Sequence, residues 1–293
     1  MSHTSSAASY KAALSLFDRD PDLRVLRRVS SLDDFPLADT ATGTVRRVAI
    51  VDTETTGLDA LNDEIIDIAV VMVEVDAAGQ ILGIERAGQA LRDPGMPIPP
   101  HITRLTGITD EDVRGKTIDL DRLERLLASA DVRLAHQASF DLAFLEHLLP
   151  GLAGAAWACS AQDFDWLSVG ADGCKLGHLL MQFGFFNTAH RAMADVISLM
   201  HVLARPLADG RTILGAVLQN AERPSLRIEA TGAAFDKRGL LKARCYRWDP
   251  RARVWWTEID EVDLEAETLW LQRAAGIWGS PRTSPITWHE RHR

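Results

Sequence analysis

The sequence predicts an α/β protein built on a mixed sheet, followed by a second, smaller α+β domain. Three apolar, β-branched runs between residues 48 and 85 are separated by short turns, which is typical of an antiparallel meander. From about residue 119 to 204, apolar runs alternate with helical periodicity, as they do in α/β folds. Six of the eight tryptophans fall after residue 240, where the composition changes.

The stretch from Arg46 to Leu58, RRVAIVDTETTGL, is predicted to provide the central strand. Its apolar run, Val48–Val51, suits a buried strand and ends in Asp52-Thr53-Glu54. Because side chains two apart in a strand share a face, Asp52 and Glu54 present two carboxylates side by side. Divalent cations with oxygen ligands would relieve their repulsion. Taken alone, an isolated D-x-E pattern is more typical of a polar turn after a strand.

The remaining elements of the first half follow from periodicity and turn residues. Ala77-Ala78-Gly79 forms a turn between the second and third strands, and the Pro-rich piece 94–100 excludes regular structure. It leads into a loop or short helical turn at 101–109. Strands are predicted at 64–75, 80–85, 132–135 and 155–158, and helices at 119–129, from 136–141 onward, at 175–183 and at 190–204.

The second half of the sequence predicts a compact α+β unit, whose elements are separated by turn residues. We expect a helix at 211–222, a strand at 226–230, a helix at 236–243, a hairpin turning at Asp249-Pro250 and a helix at 263–274. The predicted domains are a loosely attached arm (1–44) with one helix (Ser9–Phe17), a main domain (45–205), a helical linker (206–225) and a small C-terminal module (226–293).

The composition favours a protein of the reducing cytoplasm, without a membrane partner. No apolar run approaches the roughly 18 residues that span a membrane, and the N-terminus lacks the pattern of a signal peptide. The three cysteines (Cys159, Cys174 and Cys245) are widely spaced and contain no C-x-x-C pair. This argues against a disulfide scaffold and against a zinc site.

The net charge of −9 argues against nucleic-acid binding, but the distribution of charge is uneven. Seven basic residues lie between Lys237 and Arg253, against the single acid Asp249. Aromatic side chains alternate with this basic segment or follow it directly: Tyr246, Trp248, Trp255 and Trp256. They are typical either of a stacking platform for single strands or of the core of a small domain, and we favour the core.

Two further segments carry candidate catalytic side chains. Asp141 lies at the start of a predicted helix just after a strand, where the helix dipole alone also favours an acid. His190 and Asp195 lie five apart at the opening of another helix. Asp195 has apolar neighbours, so its carboxylate would be costly to bury without a partner. Taken alone, Asp141 is more typical of an acid at a helix start, and His190 is more typical of a surface or capping histidine.

Together these segments resemble the DEDDh branch of the ribonuclease-H-like 3′–5′ exonucleases, the family of the proofreading epsilon subunit of bacterial DNA polymerase III. The D-x-E-T-T-G-L motif stands at Asp52–Leu58, and the region ending in L-T-G-I-T stands at His101–Thr109. The second motif is His136–Asp141, with glutamine where the family usually has asparagine, and the third, H-x-A-x-x-D, is His190–Asp195. The resemblance covers residues 46 to 205.

The resemblance implies a ribonuclease-H-like fold with a mixed five-stranded sheet, and a set of site residues. It implies two Mg²⁺ or Mn²⁺ ions, with His190 as the general base. The implied metal ligands are Asp52, Glu54, Asp141 and Asp195. The implied pocket for the 3′-terminal nucleotide consists of Thr55, Gly57, Leu58, His136 and Phe140. For His136 and Phe140, strand termination and packing are equally good interpretations.

The function that the resemblance implies is removal of 3′-terminal nucleotides from DNA, at single-stranded or frayed ends. An exoribonuclease acting on short or 3′-tailed RNA is the alternative, because the catalytic residues do not distinguish sugars. A second alternative is a non-catalytic module that binds nucleic acid or a DNA polymerase. A polymerase partner is compatible with each of these hypotheses.

Overall fold

The computed structural model divides the chain into two compact units. The first ends at Leu218, and the second comprises Gln219–Arg293. The predicted helix Ser9–Phe17 lies outside the described residues, apart from Phe17 itself. The structure describes residues 17, 20, 22–29, 31–188 and 190–293.

A mixed five-stranded sheet forms the centre of the first unit, as predicted, in the order β4-β3-β2-β5-β6. Strands β2, β3 and β4 form an antiparallel meander, whereas β5 and β6 run parallel to β2. A separate parallel pair is formed by β1 and β7. The strands are β1 (Arg27–Arg28), β2 (Arg46–Thr55), β3 (Ile65–Val75), β4 (Ile81–Leu91), β5 (Val132–Ala135), β6 (Trp157–Cys159) and β7 (Phe185–Phe186).

Helices cover both faces of this sheet. They are α1 (Pro100–Thr106), α2 (Asp110–Val113), α3 (Leu120–Ala128), α4 (Ala138–Leu148), α5 (Leu176–Gln182), α6 (Ala192–Leu203) and α7 (Ile213–Glu222). Ala49 and Val51 of β2 pack in one core with Leu127 of α3 and Leu145 of α4. Helix α6 packs against β2 and β3. Because strand side chains alternate, Asp52 and Glu54 point away from the face that carries Ala49 and Val51.

Three local differences from the predicted elements have physical causes. Strand β4 continues to Leu91 because its ladder with β3 continues, although exposed side chains give no alternating pattern there. The segment after the Pro-rich piece is a full helix, α1, since proline suits its first position. The unpredicted helix α2 is stabilised by a reciprocal capping box between Thr109 and Asp112.

The predicted arm is not loosely attached where the structure describes it. Val29 and Phe35 are buried, and the Phe35 ring meets His201 of α6 edge-on, with 5.0 Å between ring centroids. The backbone N–H of Ala38 donates to the carbonyl of Ile81 at 2.8 Å. The prediction of a loose attachment is therefore wrong for this part. The polar composition of the segment did not indicate that Val29 and Phe35 would be buried.

The second unit is the predicted small α+β fold, with a four-stranded antiparallel sheet in the order β11-β8-β10-β9. Its core joins one sheet face to the helices and includes Ile228, Leu241 and Leu271. The elements are β8 (Ser225–Ala230), α8 (Arg238–Ala243), β9 (Arg247–Asp249), β10 (Val254–Ile259), α9 (Leu264–Arg273) and β11 (Arg282–Ile286). The sequence did not indicate β11, an exposed edge strand that contains a proline.

Within the described part of the chain, no helix has the length and apolarity needed to cross a bilayer.

The close approach of α7 to the turn between β3 and β4 provides a test of the fold. A Cβ added at Gly215 would lie 2.3 Å from the carbonyl oxygen of Ala78. We therefore expect Gly215→Ala to lower the free energy of unfolding by about 1–3 kcal/mol, through overpacking. Urea denaturation followed by circular dichroism measures this change.

The matched control is Gly177→Ala in α5, where an added Cβ meets no atom within 4 Å. This variant should be neutral or gain about 0.5–1 kcal/mol, because alanine is the better helix former. Equal stability of the two variants would contradict the close packing of Gly215 against Ala78.

Candidate metal centre

Two carboxylates stand at the end of β2, where its pairing with β3 becomes irregular. Asp52 lies opposite Ala69, Glu54 lies opposite Asp67, and the register shifts between Glu54 and Thr55. The uninterrupted ladder before this point fixes the direction of Asp52. Beyond the shift, Thr55 pairs with Ile65, and β2 ends there.

Helix α6 brings a third carboxylate to the same place. Asp195 lies in the first turn of α6, and its Oδ2 accepts the backbone N–H of His190 at 2.8 Å. One carboxylate oxygen from each of Asp52, Glu54 and Asp195 lies within 4.8 Å of the others. Among the described residues, these three form the group that could hold a metal ion.

The fourth predicted ligand, Asp141, lies next to this group rather than within it. Asp141 is in the first turn of α4, is only 3% exposed, and accepts a 2.8 Å hydrogen bond from Thr53 Oγ1. Its charge nevertheless contributes to raising the pKa values of Asp52 and Glu54. Thr53 therefore connects the middle of the D-T-E motif to the acid of the second motif.

Burial and mutual repulsion make this cluster electrostatically unfavourable without a cation. Burial, followed by the charges of Asp141, Asp195 and Glu54, raises the pKa of Asp52 well above its ordinary value. Burial and the charge of Asp195 raise the pKa of Glu54 to about 8. Burial raises the pKa of Asp141 to about 7, against the hydrogen bond from Thr53. Hard oxygen donors in this arrangement fit a divalent cation, which would offset the repulsion.

A further buried acid, Asp67 on β3, was missed by the sequence analysis. Asp67 has no exposed surface, and its carboxylate accepts hydrogen bonds from Gln89 Nε2 at 2.7 Å and from Arg191 Nε at 3.4 Å. The backbone N–H of Ala192, at the start of α6, also binds this carboxylate. Asp67 thus joins β3 to the start of α6. An acid inside the apolar run 65–75 is the signal that could have identified it.

His190 is held in a backbone conformation that few residues adopt. Its φ of 65° is in the left-handed region, and its side chain is exposed. The backbone N–H of His190 is fixed by Asp195, and the next residue, Arg191, is fixed by Asp67. A charged His190 would also lower the pKa of Asp195. Strain of this kind persists only where the surroundings determine it, and it is common at functional sites.

The predicted pocket residues that follow β2 form a tightly constrained turn. Thr55 Oγ1 donates to the carbonyl of Gly57 at 2.5 Å. A Cβ added at Gly57 would lie 2.3 Å from a carboxylate oxygen of Asp63. The next residue, Leu58, is 87% exposed. An apolar side chain therefore projects into solvent a few residues beyond the acid cluster.

The other two predicted pocket residues make contacts inside the protein. His136 Nε2 lies 2.6 Å from the carbonyl oxygen of Cys174, and Nδ1 lies 2.8 Å from Ser160 Oγ. Because a carbonyl can only accept, Nε2 carries the hydrogen, and both ring nitrogens are engaged. Phe140 packs against Phe144, with 4.9 Å between ring centroids. These contacts support the structural interpretation of His136 and Phe140.

In the second unit, the aromatic residues divide between the core and the surface. Tyr246 is a core residue, and Trp255 packs against that core. Trp256 lies between the guanidinium groups of Arg227 and Arg247, each 4.3 Å from its ring centroid. Trp248 is 48% exposed and packs against Trp255. The core interpretation therefore accounts for Tyr246 and Trp255.

A family model described as “Exonuclease”, the RNase T model, matches residues 49–203, more than half of the chain. The chain belongs to this exonuclease family. The resemblance drawn from the motifs is thereby confirmed, and the matched residues include all four predicted metal ligands and His190.

Curated relatives of this exonuclease domain occur within much larger proteins. The chain is 38% identical over 98 residues to the DNA polymerase III PolC-type of Bacillus subtilis (strain 168), and 39% identical over 98 residues to that of Listeria innocua. Each match covers 33% of this chain and 6% of the relative. The chain therefore spans only a small part of the relatives it matches.

Two solved structures of exonucleases are similar to this chain. A structure of exonuclease I covers 83% of this chain and 63% of its own, with a TM-score of 0.51 and 16% identity. A structure of exonuclease X in complex with 5′ overhanging duplex DNA covers 57% of this chain and 99% of its own, with a TM-score of 0.41 and 23% identity. The likeness to exonuclease I confirms the predicted ribonuclease-H-like fold.

The raised pKa of Glu54 predicts a specific pH dependence of the metal-free protein. Its folded pKa of about 8 exceeds its ordinary value of 4.5, so the folded state binds this proton more tightly. The corresponding stability is present below about pH 4.5 and is lost as the pH rises through about 8. In chelator, Glu54→Gln should therefore exceed the wild type in unfolding free energy by about 1–3 kcal/mol at pH 8, and by less at pH 5.

Urea denaturation at the two pH values measures this difference. Glu74→Gln, which replaces an exposed acid on the neighbouring strand β3, is the matched control and should show no such trend. A difference between Glu54→Gln and the wild type that does not grow with pH would refute the electrostatic account of the cluster.

Proposed function

We propose that this exonuclease is of the DEDDh type and removes 3′-terminal nucleotides from DNA, at single-stranded or frayed ends. The observation that carries the proposal is the convergence of Asp52, Glu54 and Asp195 on one point, with Asp141 adjoining. The order of the motifs along the chain supports the same reaction. A non-catalytic module would have no use for so unfavourable a group of carboxylates.

In this proposal the carboxylates hold two Mg²⁺ or Mn²⁺ ions. Asp52, Glu54 and Asp195, whose carboxylate oxygens lie close together, would supply oxygen ligands, and Asp141 at the start of α4 would add a further one. Bound divalent cations would supply charge neutralisation at the phosphodiester and activation of the attacking water. The raised pKa values of the metal-free cluster support this assignment, because a cation restores the ionised carboxylates.

In the proposed reaction His190 would act as the general base and take a proton from the attacking water, a role in which histidine is the most frequent side chain. Asp195 fixes the backbone of His190, while Asp67 fixes Arg191 and the first turn of α6. Asp67 is then a positioning residue, since it acts on the reaction only through the segment that carries His190. The constrained turn at Thr55 and Gly57, with exposed Leu58, would receive the terminal nucleotide.

The relatives favour DNA as the substrate and a DNA polymerase as a partner. Those named above are DNA polymerases, although the matched region is a small part of each. A place in the cytoplasm, beside the replication machinery, agrees with the three free cysteines. Exoribonuclease activity on short RNA is the alternative that the following experiment separates.

The decisive experiment is a time course of cleavage with matched single-stranded DNA and RNA, labelled in turn at the 5′ and at the 3′ end. Mg²⁺, Mn²⁺ and chelator are compared. We expect metal-dependent stepwise shortening from the 3′ end, faster on DNA. Asp52→Asn should abolish cleavage, and His190→Ala should lower kcat by about 10²–10⁴-fold, the usual contribution of a general base.

Faster cleavage of RNA than of DNA would contradict the proposed DNA substrate and favour the exoribonuclease alternative. Absence of cleavage by the wild type under every metal would leave only the binding-module hypothesis. Glu74→Gln is the control here as well, and should cleave at the wild-type rate, since Glu74 is exposed and distant in the ladder from Asp52.

The same assay tests the role of Asp67. Asp67→Asn keeps the shape of the side chain but removes the negative charge that holds Arg191. We therefore expect kcat to fall while KM changes little. The pH dependence of kcat should also change, because His190 is less firmly held. An unchanged kcat and pH profile would show that Asp67 takes no part in positioning.

A further inference from the structure

A groove of about 770 Å³ lies in the first unit, between strands β3 and β4 and helix α3. Its apolar floor includes Ile68 and Val70 of β3, Ala90 of β4 and Leu126 of α3. Ile68 and Val70 belong to the core that β2 shares with α3 and α4. Asp67, the residue before Ile68, faces the acid cluster. The groove therefore lies on the opposite side of the sheet from the candidate metal centre.

The rim of this groove is strongly basic. Arg86, Arg122 and Arg125 line it and are exposed, and none forms an ion pair with another described residue. A fourth arginine, Arg47, is already paired with Glu85. The single acid in the lining, Asp119, is engaged in accepting the backbone N–H of Arg122 at the start of α3. Three positive charges thus remain available to an occupant.

One wall of the groove is the edge strand of the sheet. Strand β4 is outermost in the sheet order, and its residues 85–89 are exposed. Small residues, Ala87 and Gly88, leave this stretch unobstructed, and a Cβ added at Gly88 would meet no atom within 4 Å. Exposed edge strands of this kind can accept an additional strand from another chain through backbone hydrogen bonds.

We propose that this groove binds an extended acidic segment of a partner protein, which adds a strand to β4. Alternate apolar side chains would rest on the floor, and acidic ones would meet Arg86, Arg122 and Arg125. A single-stranded nucleic acid fits less well, because none of the residues lining the groove is aromatic and bases would find no stacking surface. A partner bound here would leave the acid cluster free to act.

This proposal does not depend on nuclease activity, and its test is a binding measurement on the full chain in chelator. The probe is a fluorescein-labelled peptide of ten residues in which glutamate alternates with leucine or valine. Its counterpart with lysine in place of glutamate is the sequence control. We expect salt-sensitive binding of the glutamate peptide, measured by fluorescence anisotropy, and none of the lysine peptide.

Two groove variants should weaken this binding through different physical causes. Reversal of the three charges in Arg86→Glu/Arg122→Glu/Arg125→Glu should weaken it about tenfold or more, the sum expected of three exposed ion pairs. Gly88→Trp should weaken it by filling the groove, without backbone strain. The charge-matched control, Arg114→Glu/Arg251→Glu/Arg273→Glu, changes exposed arginines outside the groove and should bind as the wild type does.

Thermal unfolding confirms that each variant is folded before its affinity is interpreted. Equal affinity of the wild type and both groove variants would overturn the proposal, as would failure of the glutamate peptide to bind at all. A decamer of thymidylate is tested in parallel. If the groove variants weaken its binding instead of that of the peptide, the groove is a nucleic-acid site and the proposal is wrong.

Discussion

Repulsion among the carboxylates at the end of β2 is the constraint on which the rest of the site depends. Asp52 and Glu54 are placed by the regular ladder between β2 and β3, and Asp195 is brought to them by the first turn of α6. Bringing these carboxylates together costs free energy, because they are buried and repel one another. The apolar cores on both faces of the sheet supply the free energy that holds such a cluster together.

Hydrogen bonds around the cluster limit the freedom of its members and of His190. Thr53 holds Asp141, Asp195 holds the backbone of His190, and Asp67 holds Arg191. Each contact joins two segments that are distant in the sequence or meet at a helix start. Asp141 and Asp67 thereby accept hydrogen bonds from neutral or cationic donors, whereas the carboxylates of Asp52 and Glu54 are left for a cation. This difference in hydrogen bonding explains why burial and repulsion raise the pKa values of Asp52 and Glu54 so strongly.

The sequence predicts most of the sheet because its longer strands are rich in apolar, β-branched residues, as in β2 and β3. The sequence also indicates the acids of the candidate site, because each of them lies in a short motif with a recognisable spacing of residues. It does not indicate Asp67, whose burial depends on Gln89 and Arg191, or the anchoring of Phe35 against α6. Such features arise from contacts between distant residues, which no local pattern records. For the same reason, the groove beside β4 is visible only in the folded chain.

The most direct test of the account is a calorimetric titration of the chelator-treated protein with Mn²⁺ and Mg²⁺, combined with thermal unfolding. We expect two bound ions per chain and a raised Tm. At one hundred times its dissociation constant, each bound ion adds about 2.7 kcal/mol of stability. Both effects should be lost in Asp52→Asn. Absence of binding and of stabilisation by either cation would contradict the assignment of a metal centre to Asp52, Glu54 and Asp195.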